Sequence, residues 1–276
     1  MSIITLTTDF GLKDHFAGIF KGKIYSLLPE TTIIDISHLV DKFNVLEASY
    51  LLATSYSHFP KGTVHVVAVD ASRNADTVHI AMLYDGHYFI GADNGIFGGL
   101  TNKKNPEKIV QISILDRLFE GSNDLDVFAT VATHLAKGGE MSEIGTPLTD
   151  IKKMNMLVPI LDQNLKSIRG HIVYIDDFGN CVTNISKTYI EEVARGRQYS
   201  VRFSVYTIKR VKNDYADFKN NNSADLNAMA GNEIALFNQD GFLEIAVYRS
   251  NPNRSGSAHT LLGLKMQDAV IVEFDS

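Results

Sequence analysis

The chain has 276 residues, 45% of them hydrophobic and 21% charged, and a net charge of −6. That is enough length for one large or two ordinary domains, and the acidic balance argues against a nucleic-acid surface, which needs clustered Lys and Arg. No apolar run approaches the ~18 residues of a membrane span, and MSIITLTTDF carries no cationic stretch before an apolar one, so a cytoplasmic protein is the expectation.

Apolar runs alternate with amphipathic stretches over the first ~150 residues, the pattern of an α/β layered fold. Ile3 to Thr7 reads as a buried strand. Phe16, Ile19, Phe20, Ile24, Leu27 and Leu28 then recur at helical spacing. Ile33 to Ile36 is a short strand, Val45 to Phe59 a helix stopped by Pro60, and Thr63 to Val69 a β-branched strand. Asp85-Gly86 between Val78–Leu83 and Tyr88–Ile90 signals a two-residue hairpin. Ile109 to Ile112 is a further strand, and Leu125 to Ala136 a helix closed by Gly138-Gly139. An aperiodic stretch from Thr149 to Ser167 marks a junction, dividing the chain into an α/β domain over 1–160 and a β-barrel domain over 168–276. In the second domain strands are expected at Gly170–Ile175, Cys181–Ile185, Tyr199–Tyr206, Glu233–Asn238, Phe242–Val247 and Ala269–Phe274. The polar, Asn-rich stretch 213–227 reads as an exposed excursion.

Three short segments carry candidate chemistry. TTDFG at 7–11 ends a strand, where loops of α/β sheets hold ligands, and Asp9 could accept both hydroxyls of a ribose. It could equally cap the following helix. Asp93-Asn94-Gly95 follows a strand and also satisfies plain turn chemistry. Asp176-Asp177-Phe178-Gly179-Asn180 is another turn candidate, and it sets an aromatic face beside an amide, the pair that stacks on and hydrogen-bonds to a base. Cys181 has no local activating partner and reads as a small core residue. The nine histidines lack zinc-like spacing, so no metal is expected.

TLTTDFGLKDHFAGIFKG at 5–22, DISH at 35–38, FPKGTVHVVAVD at 59–70, GADNGIFGG at 91–99, IDDFGNCVTNI at 175–185 and LLGLKMQDAV at 261–270 occur in one order. Together they resemble the S-adenosylmethionine hydroxide adenosyltransferases, relatives of the fluorinase and chlorinase enzymes. The resemblance implies a homotrimer in which S-adenosylmethionine lies between one subunit's N-terminal domain and a neighbour's barrel. By position it implies Asp9 on the ribose hydroxyls and Asp14 on the methionine ammonium, with Asp93 and Asn94 in the same pocket. Asp176, Phe178 and Asn180 would form the barrel's wall. Ser257 and Ala258 would stand where backbone meets adenine. S-adenosylmethionine is then the substrate, with no separate cofactor.

Two departures bear on catalysis. Hydrolytic relatives have an arginine seven residues after the position of Asp70, where this chain has Thr77, and a histidine where Glu120 stands. Arg73 reaches the site only if the turn is rearranged. The expected activity is hydrolysis of S-adenosyl-L-methionine to adenosine and L-methionine, with Asp70 and Glu120 as the catalytic pair. A binding protein of weak or no activity and an enzyme acting on a related adenosyl nucleoside are the alternatives. Halide is disfavoured as nucleophile, since two carboxylates repel it.

Overall fold

The computed structural model describes residues 2–101, 104–154, 157–218 and 230–275. The chain divides into two compact units, Met1–Met156 and Leu157–Ser276.

The first unit is a seven-stranded sheet with helices on both faces. Its elements run β1 (Ile3–Thr8), α1 (Phe16–Leu27), β2 (Thr32–Ser37), α2 (Val45–Ser55), β3 (Val64–Ala68), β4 (His79–Tyr84), β5 (His87–Ala92), α3 (Gly98–Thr101), β6 (Lys108–Ile112), α4 (Asp124–Ala136) and β7 (Gly145–Pro147). Strand order is β2-β1-β3-β5-β4-β6-β7, with β2, β1, β3 and β5 mutually parallel. The alternation of side chains on β3 explains the two layers. Val64, Val66 and Ala68 pack with Phe20 and Ile24 of α1 and Phe128 of α4, while Val67 and Val69 pack with Ala48 and Leu52 of α2. The chain steps outward from β1 to β2 and then crosses back over β1 to β3, so strand order reverses between β1 and β3, and in open α/β sheets the carboxyl ends of strands at such a reversal are the usual ligand position.

The expected hairpin is present. β4 and β5 pair antiparallel, and Asp85 and Gly86 both take positive φ (48° and 70°), as a two-residue turn of this hand requires. The expected helix over 45–59 ends earlier, passing into a 3-10 turn at Tyr56–His58 before Pro60.

The second unit contains β8 (Ile160–Leu161), β9 (Ser167–Ile175), β10 (Cys181–Ser186), α5 (Lys187–Ala194), β11 (Tyr199–Phe203), β12 (Tyr206–Ile208), β13 (Glu233–Phe237), β14 (Phe242–Val247), α6 (Ala258–Leu261) and β15 (Ala269–Phe274). The strand path β12-β11-β15-β9-β10-β14-β13 nearly closes on itself, since Lys212, just past β12, bridges Leu236 on β13. Ile172, Val201, Leu243, Ile245 and Val272 fill the interior of this barrel. The single strand expected over 199–206 is instead two, folded back at Ser204, whose φ is 47°. The excursion from 213 is anchored at its start, where a 3-10 turn spans Tyr215–Phe218, and its expected part over 219–227 lies outside the described residues. No helix among the described residues is long and apolar enough to cross a membrane.

Candidate active site

Asp9 follows β1 directly and is 9% exposed. It does not cap α1, whose N-cap is His15, six residues on. Its Oδ2 accepts the Phe43 N–H at 3.0 Å, and its main-chain oxygen accepts the Lys42 ammonium. Oδ1 has no partner among the described residues, so the carboxylate is fixed on one side and open on the other. The strand end beneath it is pinned by the DISH segment. His38 Nδ1 lies 2.8 Å from Thr8 Oγ1, and the Gly11 N–H donates to the His38 carbonyl. His38 Nε2 is 3.1 Å from Asp35 Oδ1 but off the line of a good hydrogen bond. This buried histidine is structural. Asp14 stands exposed in the turn before α1, with no partner among the described residues.

Asp70 comes two residues after β3. Its φ of 46° places it in the left-handed region, which costs a residue with a Cβ about 1–2 kcal/mol. Its carboxylate is exposed and, among the described residues, makes no hydrogen bond or ion pair. β1 and β3 are in register at Thr8 and Ala68, so Asp9 and the Val69-Asp70 step leave adjacent strand ends. The next parallel strand delivers Asp93 and Asn94. Asp93 Oδ1 accepts the Lys152 N–H at 2.8 Å, and burial lifts its carboxyl above the usual range, opposed by Lys152. Asn94, the other residue expected on the substrate, makes its side-chain bonds to backbone. Its Nδ2 donates to the carbonyls of both Val69 and Asp70, each at 3.1 Å, and its Oδ1 accepts the Ile96 N–H. Its amide is occupied by backbone.

The turn after Asp70 is held from the start of β4 and from the start of α4. His79 Nε2 meets the Ala71 carbonyl at 2.8 Å, and the Arg73 N–H donates to Asp124 Oδ2 at 3.1 Å. Burial holds the His79 imidazole below its ordinary pKa. It is thus the backbone of Arg73 that is used, while the side chain is exposed. Thr77 accepts the Asn74 N–H through its carbonyl, closing the turn. Glu120 sits on an exposed turn before α4, and among the described residues no hydrogen bond or ion pair joins it to Asp70 or to anything else. Phe119 beside it is 92% exposed and lines a groove of about 630 Å³ with Ile19, Lys23, Leu118 and Ser122. His134 lies in the last turn of α4, where Nε2 meets the Glu140 carbonyl, a half-buried structural contact.

In the second unit the turn at 176–180 and the segment 257–259 come together. Asp176 accepts the Asn180 N–H on Oδ1 (2.8 Å) and the Asn180 amide on Oδ2 (2.9 Å). Burial raises the Asp176 carboxyl, and these bonds oppose the rise. Phe178 projects outward, 69% exposed. The His259 N–H donates to the Gly179 carbonyl at 3.0 Å. Ser257 is buried, caps α6 with its hydroxyl, and donates its own N–H to Thr260 Oγ1. Ala258 is fully buried behind it. Cys181 is buried and its thiol pushed up to about 12, first by burial and then by Asp176 and Glu244, which makes it an inert core group.

Sequence reading missed Glu244 and Tyr215. Glu244, only 5% exposed, accepts the Tyr215 hydroxyl at 3.0 Å, and burial together with nearby Asp176 raises it to about 7. In FLEIAV it falls on the outward face of β14, opposite Leu243, Ile245 and Val247, and so reads as solvated. The signal was in Tyr215, an aromatic in an otherwise polar stretch.

Two family models match the chain, one described as the SAM hydroxide adenosyltransferase N-terminal domain over residues 4–145 and one as its C-terminal domain over 170–271. The (R)-S-adenosyl-L-methionine hydrolase of Methanocaldococcus jannaschii is 30% identical over 92% of this chain and 91% of its own length. The enzyme of the same name from Salinispora arenicola is 26% identical over 74% and 79%. A crystal structure of an uncharacterized conserved protein from Thermotoga maritima superposes with a TM-score of 0.82 at 27% identity, covering 99% of both chains. With both units matched in order across nearly the whole sequence, the chain belongs to the SAM hydroxide adenosyltransferase family.

Proposed function

We propose that the protein hydrolyses (R)-S-adenosyl-L-methionine to adenosine and L-methionine. The observation that carries this reading is the delivery of Asp9, Asp70 and Asp93 by the carboxyl ends of neighbouring parallel strands, at the point where strand order reverses. Relatives named for this reaction and matched along most of the chain support it.

The reaction is an in-line displacement at the ribose C5′. A C5′–O bond forms to water as the C5′–S bond breaks, its electron pair staying on sulfur as the neutral thioether of methionine. The water proton passes to Asp70 or to solvent. A neutral thioether needs no general acid, so positioning and exclusion of bulk water carry much of the catalysis. Asp70, exposed and without a protein partner among the described residues, is the group that orients the water. Asp9 takes the ribose hydroxyls on its open side, Asp93 walls the pocket and Asp14 meets the methionine ammonium. In a homotrimer, Asp176, Phe178, Asn180, Ser257 and Ala258 of a neighbouring subunit close the pocket.

Two observations favour a binding protein instead: among the described residues Glu120 makes no bond to Asp70, and Thr77 meets the turn through its carbonyl and not its side chain. Incubation with S-adenosylmethionine in H₂¹⁸O separates the two. Hydrolysis yields adenosine and methionine in equal amounts, with ¹⁸O in the adenosine 5′-hydroxyl. Asp70→Asn slows it by about 10²–10⁴-fold, the usual contribution of a positioned base. Tight binding with no product over many hours would sink the proposal, and an unchanged rate in Glu120→Gln removes Glu120 from the mechanism.

A further inference from the structure

Asp70 is a residue with a Cβ in the left-handed region, and nothing in its own side chain holds it there. Asx residues that adopt this conformation commonly bond their side chain to nearby backbone, whereas the Asp70 carboxylate makes no such bond among the described residues. The restraint comes from the loop after β5. In extended chain, consecutive carbonyls point to opposite sides and cannot meet one donor. The carbonyls of Val69 and Asp70 nonetheless both lie 3.1 Å from Asn94 Nδ2, which is possible only because the chain turns sharply between them.

Asn94 is itself braced. Its Oδ1 accepts the Ile96 N–H at 3.2 Å, the Asp93 N–H donates to the Val78 carbonyl, and Asp93 Oδ1 accepts the Lys152 N–H. β3 and β5 are paired in register at Val67 and Gly91, so the two strand ends advance together and bring Asn94 alongside Asp70. We propose that Asn94 is a positioning residue for the hydrolysis, which clamps the Val69–Asp70 backbone in its turned conformation and so aims the Asp70 carboxylate away from the sheet. This rests on the reading of Asp70 as the group that orients water.

The test combines structure and kinetics on Asn94→Ala and on Asn94→Asp, which keeps the volume and the acceptor for Ile96 but sets an anion against two carbonyls. Thermal unfolding first establishes that each variant is folded. In crystals of either variant, Asp70 is expected to leave positive φ. Single-turnover rates are expected to fall about 10–100-fold with KM within about threefold of wild type, the signature of lost transition-state positioning. In an Asp70→Asn background, adding Asn94→Ala is expected to change the rate less than about twofold, because the carboxylate it aims is already gone. Asp70 keeping its positive φ in both variants overturns the inference. So does an equal rate loss with and without Asp70, or a change in KM alone. Asp70→Asn turning over at the wild-type rate removes the premise instead, and is told apart because the failure then lies at Asp70 itself.

Discussion

Gly179 joins the two candidate binding segments of the second unit through its lack of a side chain. Its φ is 73°, and a Cβ there would stand 2.2 Å from Ser257 Oγ. Ser257 cannot retreat, because its hydroxyl caps α6 and its N–H is held by Thr260. Gly179→Ala therefore combines backbone strain with a clash, and is expected to cost about 1–3 kcal/mol of stability. It should also part the 176–180 turn from the 257–259 segment, weakening binding of S-adenosylmethionine about tenfold or more by calorimetric titration. Wild-type affinity and melting temperature in this variant would show that the contact does not organise the site. At this scale a single sequence reveals residue type but not direction. Asp9, Asp70 and Asp93 were visible as carboxylates after strands because such positions gather at one edge of a parallel sheet. That the Asn94 amide turns inward to backbone was not visible, since an Asn in a turn satisfies inward and outward roles alike. Glu244 was hidden for the converse reason: alternation assigns it outward, yet that face of β14 is covered too, with Ala246 in a buried cluster and the Tyr215 hydroxyl on the carboxyl.

The helix that supports the Asp70 turn begins with a reciprocal cap. Asn123 Oδ1 accepts the N–H groups of Leu125 and Asp126, and Asp126 Oδ2 accepts the Asn123 N–H. The next residue, Asp124, then holds the Arg73 N–H. Local helix chemistry thus anchors a loop fifty residues away in sequence. Asn123→Ala is expected to cost about 1 kcal/mol, read as a lower denaturant midpoint at unchanged slope. Because the released end carries Asp124, the loss should also show as faster amide exchange over 71–77; exchange confined to α4 would count against the linkage. Long periodic elements of this kind were legible, including α1, α4, the β4–β5 hairpin and most barrel strands. The shortest elements were not. α5 spans eight residues and repeats its apolar pair only once, Tyr189-Ile190 and Val193-Ala194, less than the roughly 11–18 residues over which a helical period is read, and Ser204 reverses the chain without the glycine that usually marks such a turn.

Each unit holds a buried group far from its ordinary pKa, His65 in the first and Glu244 in the second, and the two are displaced in opposite senses. In the first, His65 is fully buried among Tyr56, Phe59 and Phe89, with Nδ1 on Thr5 Oγ1, and burial together with His87 lowers it to about 3. A histidine whose folded pKa lies below its unfolded value favours the native state fully above about pH 6.5, and that contribution fades as pH falls toward 3. In the second unit Glu244 is raised to about 7 from 4.5. A carboxyl shifted upward favours the native state below its unfolded pKa, and the advantage is lost as pH rises through 7, a swing of up to about 3 kcal/mol. Between pH 4.5 and 6.5 the first unit should therefore gain stability with pH while the second loses it. Hydrogen exchange followed by peptide mass across this window would assign a trend to each unit. Glu244→Gln, which keeps an acceptor for the Tyr215 hydroxyl, is expected to flatten the trend of the second unit alone, leaving it more stable than wild type at pH 8. His65→Gln should flatten only the first. If both units follow one slope, or if Glu244→Gln weakens the barrel at pH 8, then the carboxyl is ionised and paired in the native state, and the Glu244–Tyr215 contact is a stabilising ion–dipole bond.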